Sequence, residues 1–256
     1  MKKKKITLSL FEKDWNPRDY LNEFYINTVV ADELEAVKYQ VSFFKKLKFS
    51  PLMLEFGCGP TLHRAITAAK YVSEIHVSDY LESNLEEVRK WVEKKPGRFN
   101  WNHYVKYILQ LEGNKNPVAE DIAFRKEITR QKITKYFKAD AGDSDPLGKK
   151  YAAYYPLVLS YFCADSATRN KHVWRKFMRN IFSLVKVGGL FTTAALYKSK
   201  FYTTGNYCFP SADIDEHDLH DVLTKYLKEI NMKVCHLPEH KNQGYEGILL
   251  AHGVKR

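Results

Sequence analysis

Polar and apolar positions along this chain repeat with two different periods. Tyr20, Leu21, Phe24 and Tyr25 recur at helical spacing behind Asn16-Pro17, a cap followed by proline at the first helical position. A second helix is predicted from Asp32 to Lys48. Pro51 interrupts it, and Leu52 to Phe56 runs apolar into Gly57-Cys58-Gly59-Pro60-Thr61, the pattern of a buried strand, a tight glycine turn and a new helix reaching about Lys70. Glu74 to Asp79 reads as the next strand and Asn84 to Lys95 as the next helix, stopped by Pro96-Gly97. Phe99 to Lys135 is charged and mainly helical, which delays a third strand to Tyr136 to Ala139. A strand at Pro156 to Tyr161, a helix at Arg169 to Val185 and a strand at Gly189 to Leu196 follow. An edge hairpin is expected at Gly205 to Phe209, a helix at Glu216 to Ile230, and closing strands at Val234 to Leu237 and Ile248 to His252.

Strands alternating with helices imply parallel pairing, so the expected fold is α/β: a doubly wound, mostly parallel, seven-stranded sheet. Residues 1–256 form one domain in this reading, with residues 1–50 as an amino-terminal helical segment and 99–135 as a helical insertion. The chain shows no internal repeat and no linker that would divide it.

Composition narrows the class. Hydrophobic residues make up 45% and charged residues 28%, with 15 Phe, 17 Tyr and 4 Trp, which excludes low-complexity and collagen-like chains. The longest apolar runs, Tyr155 to Phe162 and Leu190 to Tyr197, are about eight residues, against the roughly 20 of a membrane helix. Lys2 to Lys5 give a basic start, but Ile6 to Phe11 is short and followed by Glu12, Lys13 and Asp14, so no signal peptide is expected. Cys58, Cys163, Cys208 and Cys235 lack paired spacing, and the histidines show no ligand spacing. The expectation is reduced thiols in a cytoplasmic, monomeric protein without a metal. The net charge of +11 includes the leading lysine run; a second excess lies at Lys115 to Lys138. Such stretches read as solvated helix faces, and nucleic acid is not the expected partner.

In an open parallel sheet, ligands sit beyond the carboxyl ends of the strands, where glycines let backbone N–H groups approach them. Gly57 and Gly59 supply that approach. The third glycine of a dinucleotide fingerprint is replaced by Leu62, which disfavours NAD or FAD. Asp79 closes the second strand, where a carboxylate accepts from a ribose diol, so the pair points to an adenosyl ligand. Asp140, after the third strand, is placed to meet an adenine amino group. A plain strand-to-helix turn, a helix cap at Asp79 and ordinary turn chemistry at Asp140 are the structural alternatives.

Asn16-Pro17-Arg18-Asp19-Tyr20-Leu21, Glu55-Phe56-Gly57-Cys58-Gly59-Pro60-Thr61, Ser78-Asp79-Tyr80, Asn84-Leu85, Lys90-Trp91, Leu111-Glu112-Gly113-Asn114, Asp145-Pro146-Leu147-Gly148 and Gly188-Gly189 together resemble the S-adenosylmethionine-dependent small-molecule methyltransferases of the nicotinamide, phenylethanolamine, indolethylamine and thioether type. The resemblance covers nearly the whole chain in order and implies a Rossmann-like class I methyltransferase fold with an amino-terminal lid. It implies S-adenosyl-L-methionine as cofactor and S-adenosyl-L-homocysteine as product. Tyr20 and Tyr25 would belong to the lid, and Gly57, Cys58, Gly59 and Thr61 would line the methionine moiety. His63 stands where the family often has a tyrosine near the methionine carboxylate. Asp79, Tyr80 and Asn84 would hold the ribose and flank the adenine, Asp140 and Ala141 would meet the adenine edge, and Cys163 would form a wall. Without the resemblance, Tyr20 and Tyr25 read as core aromatics.

Methyl transfer from a sulfonium is an in-line displacement, so the protein must align a lone pair, exclude water and keep the nucleophile neutral. The resemblance nominates Asp165 as the catalytic anchor of an amine acceptor, with a helix cap as its alternative. It gives Tyr20, Ser199, Tyr202 and Ser211 as further acceptor contacts. The carboxylate that binds nicotinamide in the family falls on Ala195, and the second acid of the phenylethanolamine enzyme falls near Lys198 and Ser199. A neutral or mono-amine acceptor with an apolar body therefore fits better than nicotinamide or a catecholamine. Methylation of RNA or protein through the basic segment Lys115 to Lys138, and silent binding of S-adenosylmethionine, stay open as alternatives.

Overall fold

The computed structural model describes residues 11–26 and 28–256. The lysine run Lys2 to Lys5 and the following Ile6 to Leu10, with the first part of the expected amino-terminal segment, lie outside the described residues. Seven strands form the main sheet: β1 (Leu52–Phe56), β2 (Glu74–Asp79), β3 (Ile133–Lys138), β4 (Tyr155–Tyr161), β5 (Val185–Tyr197), β8 (Leu227–His236) and β9 (Gly247–Lys255). Their spatial order is β3-β2-β1-β4-β5-β9-β8, parallel from β3 to β5 and antiparallel across β5, β9 and β8.

Neighbouring residues of the central strands enter different cores, which is why these strands read as continuous apolar runs. Met53, Leu157, Leu159 and Leu250 pack in one core. That core includes residues of α3 (Ala31–Phe44), α4 (His63–Ala68) and α6 (Asn102–Glu112). Leu54, Val158, Leu249 and Ala251 pack in the other, with α8 (Lys171–Phe182) and α9 (Glu216–Tyr226). The chain order reverses between β1 and β4, so a crevice opens at their carboxyl ends, the place where doubly wound sheets hold ligands.

The amino-terminal elements are α1 (Phe11–Asp14), which the sequence did not signal, and α2 (Pro17–Phe24). Asn16 Oδ1 caps α2 as expected, accepting from the Arg18 and Asp19 amides at 2.9 and 3.2 Å. Further along, α5 (Glu82–Val92) follows β2, and α7 (Ala119–Lys132) precedes β3.

Several expected boundaries move. The second helix stops at Phe44 instead of Lys48, α5 runs from Glu82 to Val92 instead of Asn84 to Lys95, and α8 is trimmed at both ends to Lys171–Phe182. Strand β3 starts at Ile133 instead of Tyr136, because Ile133 pairs with Ile75 ahead of a register shift. Strand β5 starts at Val185, ahead of Gly189, with an irregularity in its pairing to β4. Helix α9 ends at Tyr226 instead of Ile230: Ile230, Met232 and Val234 recur with period two and pack against the α8/α9 core, so sheet pairing wins over helical continuation. The hairpin is not at the sheet edge. It is a separate two-stranded ribbon, β6 (Phe201–Thr204) and β7 (Tyr207–Pro210), turning at Gly205. Its Gly205 amide donates to Glu23 Oε2 of α2 at 2.6 Å, which fastens the ribbon to the amino-terminal helices.

Candidate active site

A cavity of about 430 Å³ occupies the crevice. The turn after β1 forms its floor. Gly57 and Cys58 donate their amides to the Ser78 carbonyl at 2.8 and 2.9 Å, which holds the turn against the end of β2. Gly57 sits at φ +72°, and a Cβ there would lie 2.2 Å from Cys163 Sγ. Gly59, at φ +58°, has nothing within 4 Å of where its Cβ would be. One glycine is therefore required by the protein's own packing, and the other leaves its space to a ligand.

Asp79 is the electrostatic centre of this half. Its Oδ2 accepts from the Gly59 amide at 2.7 Å, and its Oδ1 accepts from the Leu81 amide and Asn84 Nδ2, both at 2.9 Å. A carboxylate has about four acceptor positions, so further capacity remains toward the cavity. Burial raises its pKa, while these donors favour the charged form. Asn84 Oδ1 in turn accepts from Trp15 Nε1 at 2.8 Å, linking this end of the cavity to the segment between α1 and α2. Asp79 is not a side-chain helix cap, since α5 has Leu81 at its cap. Tyr80, Asp140 and Ala141 line the same end; Asp140 Oδ1 accepts from the Gly142 amide at 2.6 Å, and the Ala141 carbonyl accepts from Asn180 at 2.8 Å.

Under the first turn of α4 lies a buried ionic group that sequence reading missed. Glu33 accepts from Tyr25 OH at 2.6 Å and from Arg64 Nη2 at 2.7 Å, and it meets His63 Nε2 at 2.9 Å. Burial opposes its ionisation, but Arg64 and His63 outweigh burial and hold its pKa at about 2. Arg64 also donates to Thr61 Oγ1 at 2.9 Å, and Thr61 donates to the Cys58 carbonyl at 2.8 Å. Tyr20 OH meets Tyr25 OH at 3.1 Å. Beneath the glycine turn, both carboxylate oxygens of Glu55 are buried without a hydrogen-bond partner, and burial pushes its pKa up to about 8. The signal for Arg64 and Glu55 was their position beside the glycine turn; Glu33, in the chain's third helix, gave none.

The structure brings Tyr20, Tyr25, Gly57, Cys58, Gly59, Thr61, Asp79, Tyr80, Asn84, Asp140, Ala141, Cys163 and Tyr202 to the cavity wall. Four expected residues are not at that wall. His63 is fully buried behind it, packed against the rings of Tyr25, Trp101 and Tyr104, and burial lowers its pKa. Its place beside the glycine turn is taken by Arg64, which does line the cavity. Asp165 is buried, with Oδ2 accepting from the Leu196 amide at 2.8 Å and Ser166 Oγ at 3.2 Å, so this carboxylate ties β4 to β5. Burial raises its pKa to about 6, and α8 takes its cap from Asn170 instead. Ser199 is buried and donates to the Phe201 carbonyl at 3.1 Å, while Ser211 is buried with an unpartnered hydroxyl. The wall beyond Tyr20 and Tyr202 is made instead by Phe24, Val30, Asp32 and Tyr245, with Leu196 beside them.

Of the seven basic residues in the segment Lys115 to Lys138, four are engaged by the protein itself, while Lys115, Lys135 and Lys138 are exposed. Arg125 pairs with Glu112, Lys126 donates to Asn102 Oδ1 at 2.7 Å, Arg130 lies 4.0 Å over the Trp91 ring, and Lys132 donates to the Ala69 and Val72 carbonyls at 2.8 and 2.6 Å. Among the described residues, no group of His, Cys, Asp and Glu is arranged to hold a metal ion, and no helix is long and apolar enough to cross a membrane.

Sheet order and site together define the S-adenosylmethionine-dependent methyltransferase class. Solved structures with this fold include the Bradyrhizobium japonicum N-methyltransferase NodS with S-adenosylhomocysteine, at TM-score 0.53 and 11% identity over 89% of each chain. Another is Haemonchus contortus phosphoethanolamine N-methyltransferase 2 with S-adenosylmethionine, at TM-score 0.56 and 11% identity over 96% of this chain and 59% of that one. Within the class, the chain belongs to the NNMT/PNMT/TEMT family, whose profile matches residues 3–254. It is 32% identical over 203 residues to human nicotinamide N-methyltransferase, covering 77% of this chain and 75% of that one. It is 28% identical over 216 residues to rabbit (Oryctolagus cuniculus) indolethylamine N-methyltransferase, covering 82% and 80%. The protein is an S-adenosylmethionine-dependent small-molecule N-methyltransferase.

Proposed function

We propose that the cavity holds S-adenosylmethionine along its length, adenine at Tyr80, Asp140 and Ala141 and ribose at Asp79 and Asn84. The methionine part follows Gly57, Cys58, Gly59 and Thr61, with Arg64 facing its carboxylate; Glu55, buried beneath the turn and mainly protonated near pH 7 in the protein alone, would ionise under the charge of its ammonium. Three features of the chain support the fit: the open space at Gly59, the spare acceptor capacity of Asp79 and the unpartnered carboxylate of Glu55. Asp79, fixed by two backbone amides and Asn84, is the observation that carries this reading.

When bound, the cofactor supplies an electrophilic methyl on sulfur, and its carbon–sulfur electron pair stays with sulfur as the new bond to nitrogen forms. The chain aligns and encloses. Trp15 packs 4.8 Å from Tyr20 and 5.3 Å from Phe209, and Phe11 stacks 4.9 Å from Phe209. We assign α1 and α2, clasped to the β6/β7 ribbon, as the lid that excludes water from the nitrogen. The acceptor lies between Tyr20 and Tyr202, and these aromatic walls suit a neutral or mono-amine nucleophile with an apolar body; Ala195, where the resemblance expects a carboxylate, is buried in the α8/α9 core and does not line the cavity. One domain, acting as a cytoplasmic monomer, completes the proposal; its four free cysteines accord with a reducing compartment. A screen of radiolabelled methyl transfer over small amines and heterocycles tests it. Label moving to one acceptor class is the expected result, and label moving only to RNA or protein would overturn it.

A further inference from the structure

Displacing Asp165 from the wall leaves the acceptor end with a different acid. Asp32 and Glu33, in the first turn of α3, both line the cavity. Their situations differ. Glu33 is committed to Arg64, His63 and Tyr25, as described above. Asp32 Oδ1 accepts from the Glu33 amide at 2.8 Å, and its Oδ2 accepts from Tyr245 OH at 2.9 Å. Two neutral donors leave a carboxylate with acceptor capacity toward the cavity. Tyr245 also lines the cavity and is held from behind by His240 Nδ1 at 2.8 Å. Tyr20 and Phe24, whose rings lie 5.3 Å apart, face the same space.

Resting on the cofactor placement proposed above, we propose that Asp32 is the acceptor's anchor: it binds the protonated nitrogen of a primary or secondary amine and takes its proton. The substrate class is then an amine that is cationic in water and carries a flat apolar body, the amine on Asp32 and the body against Tyr20, Phe24 and Tyr202. Before transfer, one N–H bond of the ammonium breaks and the proton moves to an Asp32 oxygen, leaving the nitrogen lone pair free. Methylation then returns a positive charge to nitrogen, so the product leaves as an ammonium and the proton on Asp32 passes to solvent when the site opens. A carboxylate that has lost most of its water is suited to this exchange, because a neutral acid–amine pair costs less to bury than two charges. Tyr245 and His240 are positioning residues, fixing the carboxylate from the side away from the nitrogen.

The test uses the full chain with Asp32→Asn and Tyr245→Phe, both of nearly unchanged shape, and checks each by thermal melting. S-adenosylhomocysteine is titrated first; both variants are expected to bind it within about twofold of the unchanged protein. Indolethylamine, phenylethanolamine and the uncharged nicotinamide are then titrated calorimetrically into the S-adenosylhomocysteine complex, and turnover is followed separately. Asp32→Asn is expected to weaken amine binding at least thirtyfold and to lower kcat on the same amines. Tyr245→Phe is expected to weaken it three- to tenfold. Amine binding unchanged by Asp32→Asn overturns the assignment, as does failure of the unchanged protein to bind either amine while still binding S-adenosylhomocysteine. Tighter binding of nicotinamide than of both amines also overturns it and leaves the N-methyltransferase reading standing. Failure to bind S-adenosylhomocysteine would overturn the cofactor placement itself, and this assignment with it.

Discussion

The two ends of the cavity are built in different ways. At the end we assign to the cofactor, Gly57, Gly59, Thr61, Asp79 and Asn84 come from two strand-to-helix junctions side by side on β1 and β2, and backbone amides do much of the holding. At the end we assign to the acceptor, Asp32, Tyr202 and Tyr245 come from the first turn of α3, a detached ribbon and a loop near the carboxyl terminus, joined only by tertiary contacts. A site written into local junctions tolerates little change in sequence. A site assembled from distant side chains changes specificity without disturbing the fold.

The largest expected contrast concerns Glu55. Its folded-state pKa of about 8 lies above its ordinary value of 4.5, so the folded protein without cofactor binds more protons than the unfolded chain between those limits. The stability from this group is fully present below about pH 4.5 and lost as pH rises through 8, a change on the order of 5 kcal/mol. Denaturant titrations across that range should show the decline, and Glu55→Gln should flatten it. An unchanged pH profile in the variant would remove Glu55 from the account.

Next comes Gly57→Ala. Left-handed backbone and a Cβ 2.2 Å from Cys163 Sγ together predict a loss of about 3 kcal/mol in chemical denaturation. Gly59→Ala lacks the steric clash and should cost nearer 1 kcal/mol of stability while weakening S-adenosylhomocysteine binding by more than tenfold. Tyr25→Phe removes the hydrogen bond to ionised Glu33, and a loss of about 2 kcal/mol is expected on thermal or chemical unfolding. Smallest of all, Ser211→Ala should change acceptor KM by less than about threefold, since its hydroxyl is away from the wall and unpartnered. A tenfold change would return Ser211 to the site.

This contrast also explains what the sequence disclosed. The order of strands and helices, the glycine turn and Asp79 were legible because each depends on a few consecutive residues: a period-two or 3.6-residue repeat, a positive φ, a strand-end carboxylate. The helix boundary at Tyr226 was not, since the competing period-two stripe of Ile230, Met232 and Val234 needs the neighbouring strand β9 to be satisfied. Asp165 and Asp32 show the same limit within the site. Only the Leu196 amide beside one and Tyr245 beside the other separate a carboxylate bonded behind the wall from one that lines the cavity. His63 and Arg64 are adjacent in sequence, yet α4 buries the first and brings the second to the wall.

The measurement that bears most directly on the central claim is calorimetric titration of S-adenosylhomocysteine into the unchanged protein and Asp79→Ala, with melting curves to confirm that both are folded. Loss of the carboxylate's hydrogen bonds to the ribose should weaken binding by about a hundredfold or more. Equal affinity in the two proteins would contradict the account, because the adenosyl group would then be held somewhere other than at the end of β2.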